Sequence, residues 1–369
     1  MRRNRIANRR GLLCIPSVVG LLLCLSVAAG QDDVWELQNS GFSVSLRGVS
    51  AVSDTCCWAS GAKGTVIRTE DGGGSWQSVG PPDAEAADFR DIQAWDESTA
   101  VIMSAGDIDR LYRTTDAGSS WTIVYEDPDP AAFFDGMSFE QTGKHGWLMG
   151  DPINGKIQFL TTDDSGATWK PLPAEFLPSV AEGVAAFAAS GTHLLNPNRE
   201  TVIVGLGGID KKSTRPGQAS VLMTTNSGNG WQNVTVPMQA GPSSGIFSIT
   251  TVDNIAGRLV VVGGDYQKLE QNSDNVAISD DLGRSWRLPK ISRPTGFRSV
   301  IVSVAKDDDR SLLITTGPSG TDQSPDGGES WSPVSRTGFH TLSFVTPFTL
   351  WAAGSDGRVA CWRHDRLER

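Results

Sequence analysis

Cysteine, histidine and tyrosine are scarce in this chain of 369 residues, at 5, 4 and 3 copies. Five cysteines make no disulfide framework, and they lack metal-ligand spacing. Cys14 and Cys24 belong to the extreme N-terminus. Cys56, Cys57 and Cys361 remain, as one disulfide and a thiol or as three small buried side chains. The histidines, His145, His193, His340 and His364, show no ligand pattern, so no metal site is expected. No Gly-x-Gly-x-x-Gly follows a strand and opens a helix, which argues against a dinucleotide, and no cofactor is expected. There is no Gly-x-Ser-x-Gly elbow of a serine hydrolase. Basic runs are absent too.

The N-terminus has the form of an export signal. Arg2, Arg3, Arg5, Arg9 and Arg10 precede an apolar stretch from Gly11 to Leu25, and Val27-Ala28-Ala29 or Ala28-Ala29-Gly30 supplies a small-residue cleavage site. The expectation is a signal peptide over 1–30, one domain over 31–369, and a periplasmic or secreted protein. No second long apolar run follows, so no membrane span is expected after processing. Removing 1–30 leaves 27 basic against 42 acidic residues, a net charge of −15. Such a surface repels nucleic acid, which is excluded as a partner.

What the chain has in abundance is glycine, with 41 copies, and tryptophan, with 12. Both recur in an eight-residue phrase, S/T-x-D-x-G-x-S/T-W. Its first copy is Thr69-Glu-Asp71-Gly-Gly73-Gly-Ser75-Trp76, and others end at Trp121, Trp169, Trp231, Trp286 and Trp331. Only the fourth is degraded, with Asn226 for the Asp and Gly230 for the hydroxyl residue. The tryptophans lie 45, 48, 62, 55 and 45 residues apart. Short runs around each copy predict four antiparallel strands: Leu46–Val52, Cys57–Ser60, Thr65–Arg68 and Trp76–Val79 in the first unit. Within the phrase, Asp bonds backbone N–H groups, Gly takes the positive φ of the hairpin, and Trp anchors the outer strand. The spacing lacks the successive oxygen ligands of a calcium loop, so these aspartates are read as structural.

A seventh unit, Phe339–Val345, Leu350–Ala353 and Arg358–Trp362, stops short of a fourth strand, while Val34–Leu37 is a strand without a unit. Pairing the two closes a ring and removes an exposed edge. The fold predicted is all-β, a seven-bladed β-propeller with N-to-C strand closure of the last blade.

The phrase resembles the Asp-box, or bacterial neuraminidase repeat. The wider pattern from Trp58 to Trp76 is similar to photosystem II stability/assembly-factor-like propellers. Phe134–Phe139, Gly150-Asp-Pro152, Gly245–Ser248, Gly263–Tyr266 and Gly317–Gly320 resemble an exported bacterial branch of that group. Its members are labelled glycosyl hydrolase-like or oxidoreductase. The resemblance implies a propeller and no particular activity.

Propeller topology puts the repeated hairpins on one face and the starts of the inner strands on the other. Aligning those starts places a mostly polar residue second in each unit: Arg47, Arg90, Asp135, Phe247, Arg298 and His340, with Glu182 just ahead of the fourth. The arc Arg298, His340, Arg47, Arg90 can hold an anionic group, or these side chains can pair across the channel and fill it. Loops on the same face carry Asp151, Asp265 and Tyr266, as ligand-binding groups or, for the two aspartates and Asp151 above all, as turn caps. Two readings follow. One is a non-catalytic propeller, monomeric, binding a protein or glycan partner as an assembly or scaffold factor. The other is a sialidase-like glycoside hydrolase using Asp135, Glu182 or Asp265 with Arg298 and Tyr266. N-terminal sequencing of protein exported by a bacterial host is expected to find a chain starting at or near residue 31.

Overall fold

The computed structural model describes residues 33–107, 109–213, 217–307, 310–346 and 349–363. The proposed signal over 1–30 lies outside them. All regular structure among the described residues is β-strand, apart from one 3-10 turn at Ser355–Gly357.

Four-stranded antiparallel sheets follow one another along the chain, each meandering from an inner to an outer strand. The first unit is Leu46–Ala51, Cys57–Gly61, Thr65–Thr69 and Gln77–Ser78. The second, third and sixth units repeat that order from inner strands Asp88–Ala94, Phe134–Phe139 and Val300–Asp307. The fourth and fifth units join as one eight-stranded sheet through the pair Gly207–Gly245. In the last sheet Glu36–Gln38 pairs antiparallel with Val359–Arg363, with Glu36 opposite Cys361. The N-terminal strand therefore completes the final sheet, starting two residues later than the sequence suggests.

Side-chain alternation would leave each sheet with two apolar faces, and the neighbours cover both. Seven apolar clusters lie at the boundaries between successive units. Trp58 and Val66 of the first unit pack on Phe89 and Ile102 of the second. Trp147 and Phe159 of the third meet Val202 and Leu222 of the fourth. Trp351 and Cys361 of the last sheet meet Leu46 and Cys57 of the first, which closes the ring. Cys56, Cys57 and Cys361 are buried free thiols, so the small-hydrophobe alternative is the one observed.

The repeated phrase forms one recurrent turn. The Thr69 hydroxyl donates to Asp71 Oδ1 at 2.9 Å and accepts the Gly73 N–H at 2.9 Å. Asp71 in turn accepts the Ser75 N–H at 2.9 Å and its hydroxyl at 2.7 Å. The copy at Asp116 repeats all four bonds, as do those at Asp164, Asp281 and Asp326. In the fourth, Asn226 keeps the Thr224 bond at 2.8 Å but turns its amide to the Asn229 carbonyl. Two successive residues, not the Gly alone, take positive φ: Ala117, Ser165, Ser227 and Leu282 precede their glycines at 63°, 56°, 58° and 61°. Hydrogen bonds from Ser75 pull the Asp71 carboxyl down to about 2. That is the signature of a fixed acceptor, of no use as a proton donor.

Trp35 is the anchor of ring closure. It is buried against Phe339 and Trp362, with centroids at 4.8 and 5.6 Å, and its indole N–H donates to Thr321 Oγ1 at 3.1 Å. Trp35→Ala is expected to cost about 3–5 kcal/mol in denaturant unfolding. Leu37→Ala on the strand that follows it, at a side chain 59% exposed, should stay within about 0.5 kcal/mol.

Candidate functional site

The second-position residues owe their direction to bulges. In four units the register slips by one at the start of the inner strand: between Leu46 and Gly48, Phe89 and Asp91, Phe134 and Gly136, and Ile246 and Ser248. The extra residue is Arg47, Arg90, Asp135 or Phe247. A bulged residue leaves the ladder and its side chain is re-aimed, here toward the ring centre. Asp151 sits at a matching slip between Gly150 and Pro152, on the strand that pairs with Asp135's own. Register alone thus sets the two carboxylates side by side.

Arg47, Arg90, Asp135, Asp151, Tyr266 and His340 line one cavity of about 500 Å³. Phe133, Phe187, Phe247 and Phe297 complete its walls. Phe187 stacks on Phe247 at 4.3 Å and 6°, Phe297 meets Phe247 edge-on at 4.7 Å, and Tyr266 stands 6.2 and 6.3 Å from the stacked pair. The result is an aromatic wall on one side and a charged arc on the other.

Phe187 arrives on a segment that crosses the ring centre. Ala188 O accepts from Arg90 Nη1 at 3.1 Å, Ser190 Oγ donates to Ser299 O at 2.9 Å, and Thr192 O accepts the Ile249 N–H at 2.9 Å. Gly191, at φ +73°, allows this close passage, since a Cβ there would lie 2.1 Å from Asp91 Oδ2. One strap so ties units two, five and six together, and His193 behind it is fully buried. The strap occupies the longest interval between tryptophans, and its residues Ala186 to Ala189 line one wall of the cavity.

Burial dominates the electrostatics of the site. Asp135 is 1% exposed, its Oδ2 has no partner, and burial, reinforced by Asp151, raises its carboxyl well above the usual range. Burial pushes Asp151 up to about 6, and its Oδ1 is likewise without a donor. The turn-cap reading of Asp151 is therefore replaced: its carboxylate faces the cavity beside Asp135. Arg90 is paired with Asp88 at 2.9 Å and lies over the Phe133 ring at 5.5 Å. Burial, Arg47 and Arg358 hold His340 down at about 4, so its imidazole is neutral at pH 7, with Nε2 at 3.0 Å from Ser355 Oγ. Arg47 makes no ion pair or hydrogen bond among the described residues. Burial and Arg90 lower its pKa, while Asp88 opposes them.

Three residues singled out from the sequence stand elsewhere. Arg298 is sealed in an ion pair with Asp322 at 2.6 Å, both nearly unexposed, and donates to Phe297 O and Ser319 Oγ. Its partner lies on the sixth unit's third strand, invisible to an alignment of inner strands. Glu182 is solvent-exposed and paired with Lys211 at 3.2 Å. Asp265 accepts the Gln267 N–H at 3.0 Å and pairs with Lys268 at 3.4 Å, which makes it the turn cap. The fourth unit contributes Phe187 where Glu182 was aligned. The aromatic members Phe133, Phe187 and Phe297 were missed, although the 62-residue interval pointed to an insertion. Among the described residues no three His, Cys, Asp or Glu side chains form a metal cluster. No helix among them is long and apolar enough to cross a membrane.

A ring of radial antiparallel sheets with a pocket at one mouth defines the class: a β-propeller. Among solved structures the chain is similar to YCF48 bound to D1 peptide, at 17% identity and a TM-score of 0.59 over 91% of this chain and 96% of that one. YCF48 from Cyanidioschyzon merolae matches at 14% identity and 0.59, over 89% and 98% of the two chains. U3-55K matches at 12% and 0.60, over 90% and 98%. At such identities the likeness is one of fold. No protein-family model and no curated protein matches the chain.

The buried carboxylates generate a pH effect of definite sign. A carboxyl whose folded pKa is raised carries no penalty below its unfolded pKa, near 3.9, and an increasing one as pH rises toward the folded value. Asp135→Asn is therefore expected to raise Tm at pH 8 by a few degrees, and thermal melts should show the gap closing below pH 5.

Proposed function

We propose that this protein is an exported, seven-bladed propeller of Asp-box type that is non-catalytic and, as a monomer, docks a protein partner on its loop-rich face, as an assembly or scaffold factor does. The observation that carries this is the cavity at that face: an unpaired arginine, two carboxylates each with a buried oxygen that no donor reaches, and a wall of stacked aromatics. Groups of this kind acquire their partners on binding. The structural neighbour YCF48, seen bound to D1 peptide, adds precedent for a peptide on such a fold. Periplasmic or secreted placement rests on the charge pattern and cleavage motif of residues 1–30.

The hydrolase reading draws less support. It needs an acid, a second carboxylate and an arginine anchor around one substrate. Of its five groups, only Asp135 and Tyr266 line the cavity.

Cross-linking with mass spectrometry in the native host tests the docking face. Partner cross-links are expected at Lys63, Lys211 and Lys268, on loops between second and third strands, and not at Lys144, between the first and second strands of the third unit. Arg47→Glu should weaken partner capture at least tenfold with no change in melting behaviour. Cleavage of glycans or peptidoglycan fragments by the purified protein, abolished by Asp135→Asn, would overturn the non-catalytic reading.

A further inference from the structure

The charges inside the cavity are separated and mismatched. On the first unit stands Arg47, half-buried, without ion pair or hydrogen bond among the described residues. Two units further round the ring, Asp135 and Asp151 bury carboxylate oxygens that no donor reaches. The cation between them, Arg90, is taken by Asp88 and the Ala188 carbonyl. An unpartnered buried polar group costs free energy comparable to a lost hydrogen bond, and an unpaired buried charge costs more. An anion alone would satisfy Arg47 and repel the two aspartates. A cation alone would do the reverse.

We infer that the cavity takes a zwitterionic ligand of the amino-acid or short-peptide class, its ammonium on Asp135 and Asp151, its carboxylate on Arg47 and its apolar side chain on the Phe187–Phe247 wall. Three features argue for that class. Primary ammonium and carboxylate are the complements of what the two charged sides lack. The stacked rings of Phe187 and Phe247, flanked by Tyr266, give an apolar body a large flat surface. The strap residues Ala186 to Ala189 wall a cavity of about 500 Å³, within the range of small-ligand pockets and too small for a folded element. This deepens the docking proposal and rests on its reading of the cavity as the recognition site.

Isothermal titration with three probes decides it: leucyl-phenylalanine, its N-acetyl derivative and its C-terminal amide. The free dipeptide is expected to bind, and each cap should weaken binding tenfold or more. In Arg47→Gln the acid and amide should bind alike while the acetyl penalty persists. In Asp135→Asn the pattern should invert. Should either variant fail to fold in circular-dichroism melts, the three affinities on the unaltered chain decide alone. Equal affinities for all three probes, or no binding of any at concentrations up to about 10 mM, overturn the inference. Were that to happen while Arg47→Glu still weakened partner capture at least tenfold, the docking proposal would stand without this one.

Discussion

Every sheet in this protein is apolar on both faces, so none is stable until a neighbour covers each of them. That requirement organises the rest. Trp58, Trp147 and Trp351, all fully buried, sit at three different boundaries, and each loses its shelter if the adjacent sheet moves away. Burial of such side chains is the main favourable term in folding. A linear stack would expose the outer faces of its first and last members. A ring has no ends, and pairing Glu36–Gln38 with Val359–Arg363 joins the two termini within one sheet. Trp35 and the last sheet's Trp362 seal that joint from within.

Closure also explains how the centre can hold charge. Inner strands that start with a bulge send one residue each toward the axis, while the flanking apolar residues remain at the sheet boundaries. The strap through Gly191 then crosses between the units and lines one wall of the cavity that holds those side chains. Asp91, buried against the strap, accepts the Met137 and Ile92 N–H groups, yet burial still pushes it up to about 7. Asp135 and Asp151 have less compensation. A fold that keeps such groups gives up stability at neutral pH, the pattern expected where a site is maintained for binding.

Much of the architecture was legible because it is periodic. The eight-residue phrase recurs wherever the third strand turns into the fourth, and its Ser or Thr, Asp, Gly and hydroxyl positions each have one local hydrogen-bonding task. Local tasks survive translation along the chain, so comparing copies locates them. The same ruler found Arg47, Arg90, Asp135 and His340, which lie at equivalent starts of inner strands. It misplaced Arg298, because Asp322 reaches it from a third strand that the comparison did not include. It set Glu182 in place of Phe187, because the strap breaks the repeat where the fourth unit should begin.

Sequence by itself determined the repeat, the all-β class, the incomplete last unit and the strand that completes it, since these follow from spacing and alternation within short windows. Tertiary structure alone decided which polar residues meet. Asp151 joined Asp135 through strand register, Arg298 was withdrawn by an ion pair, and Phe187 was carried in on an irregular segment. Burial of a charge and the identity of its partner depend on residues that other strands and an inserted segment bring in, and no local pattern encodes them.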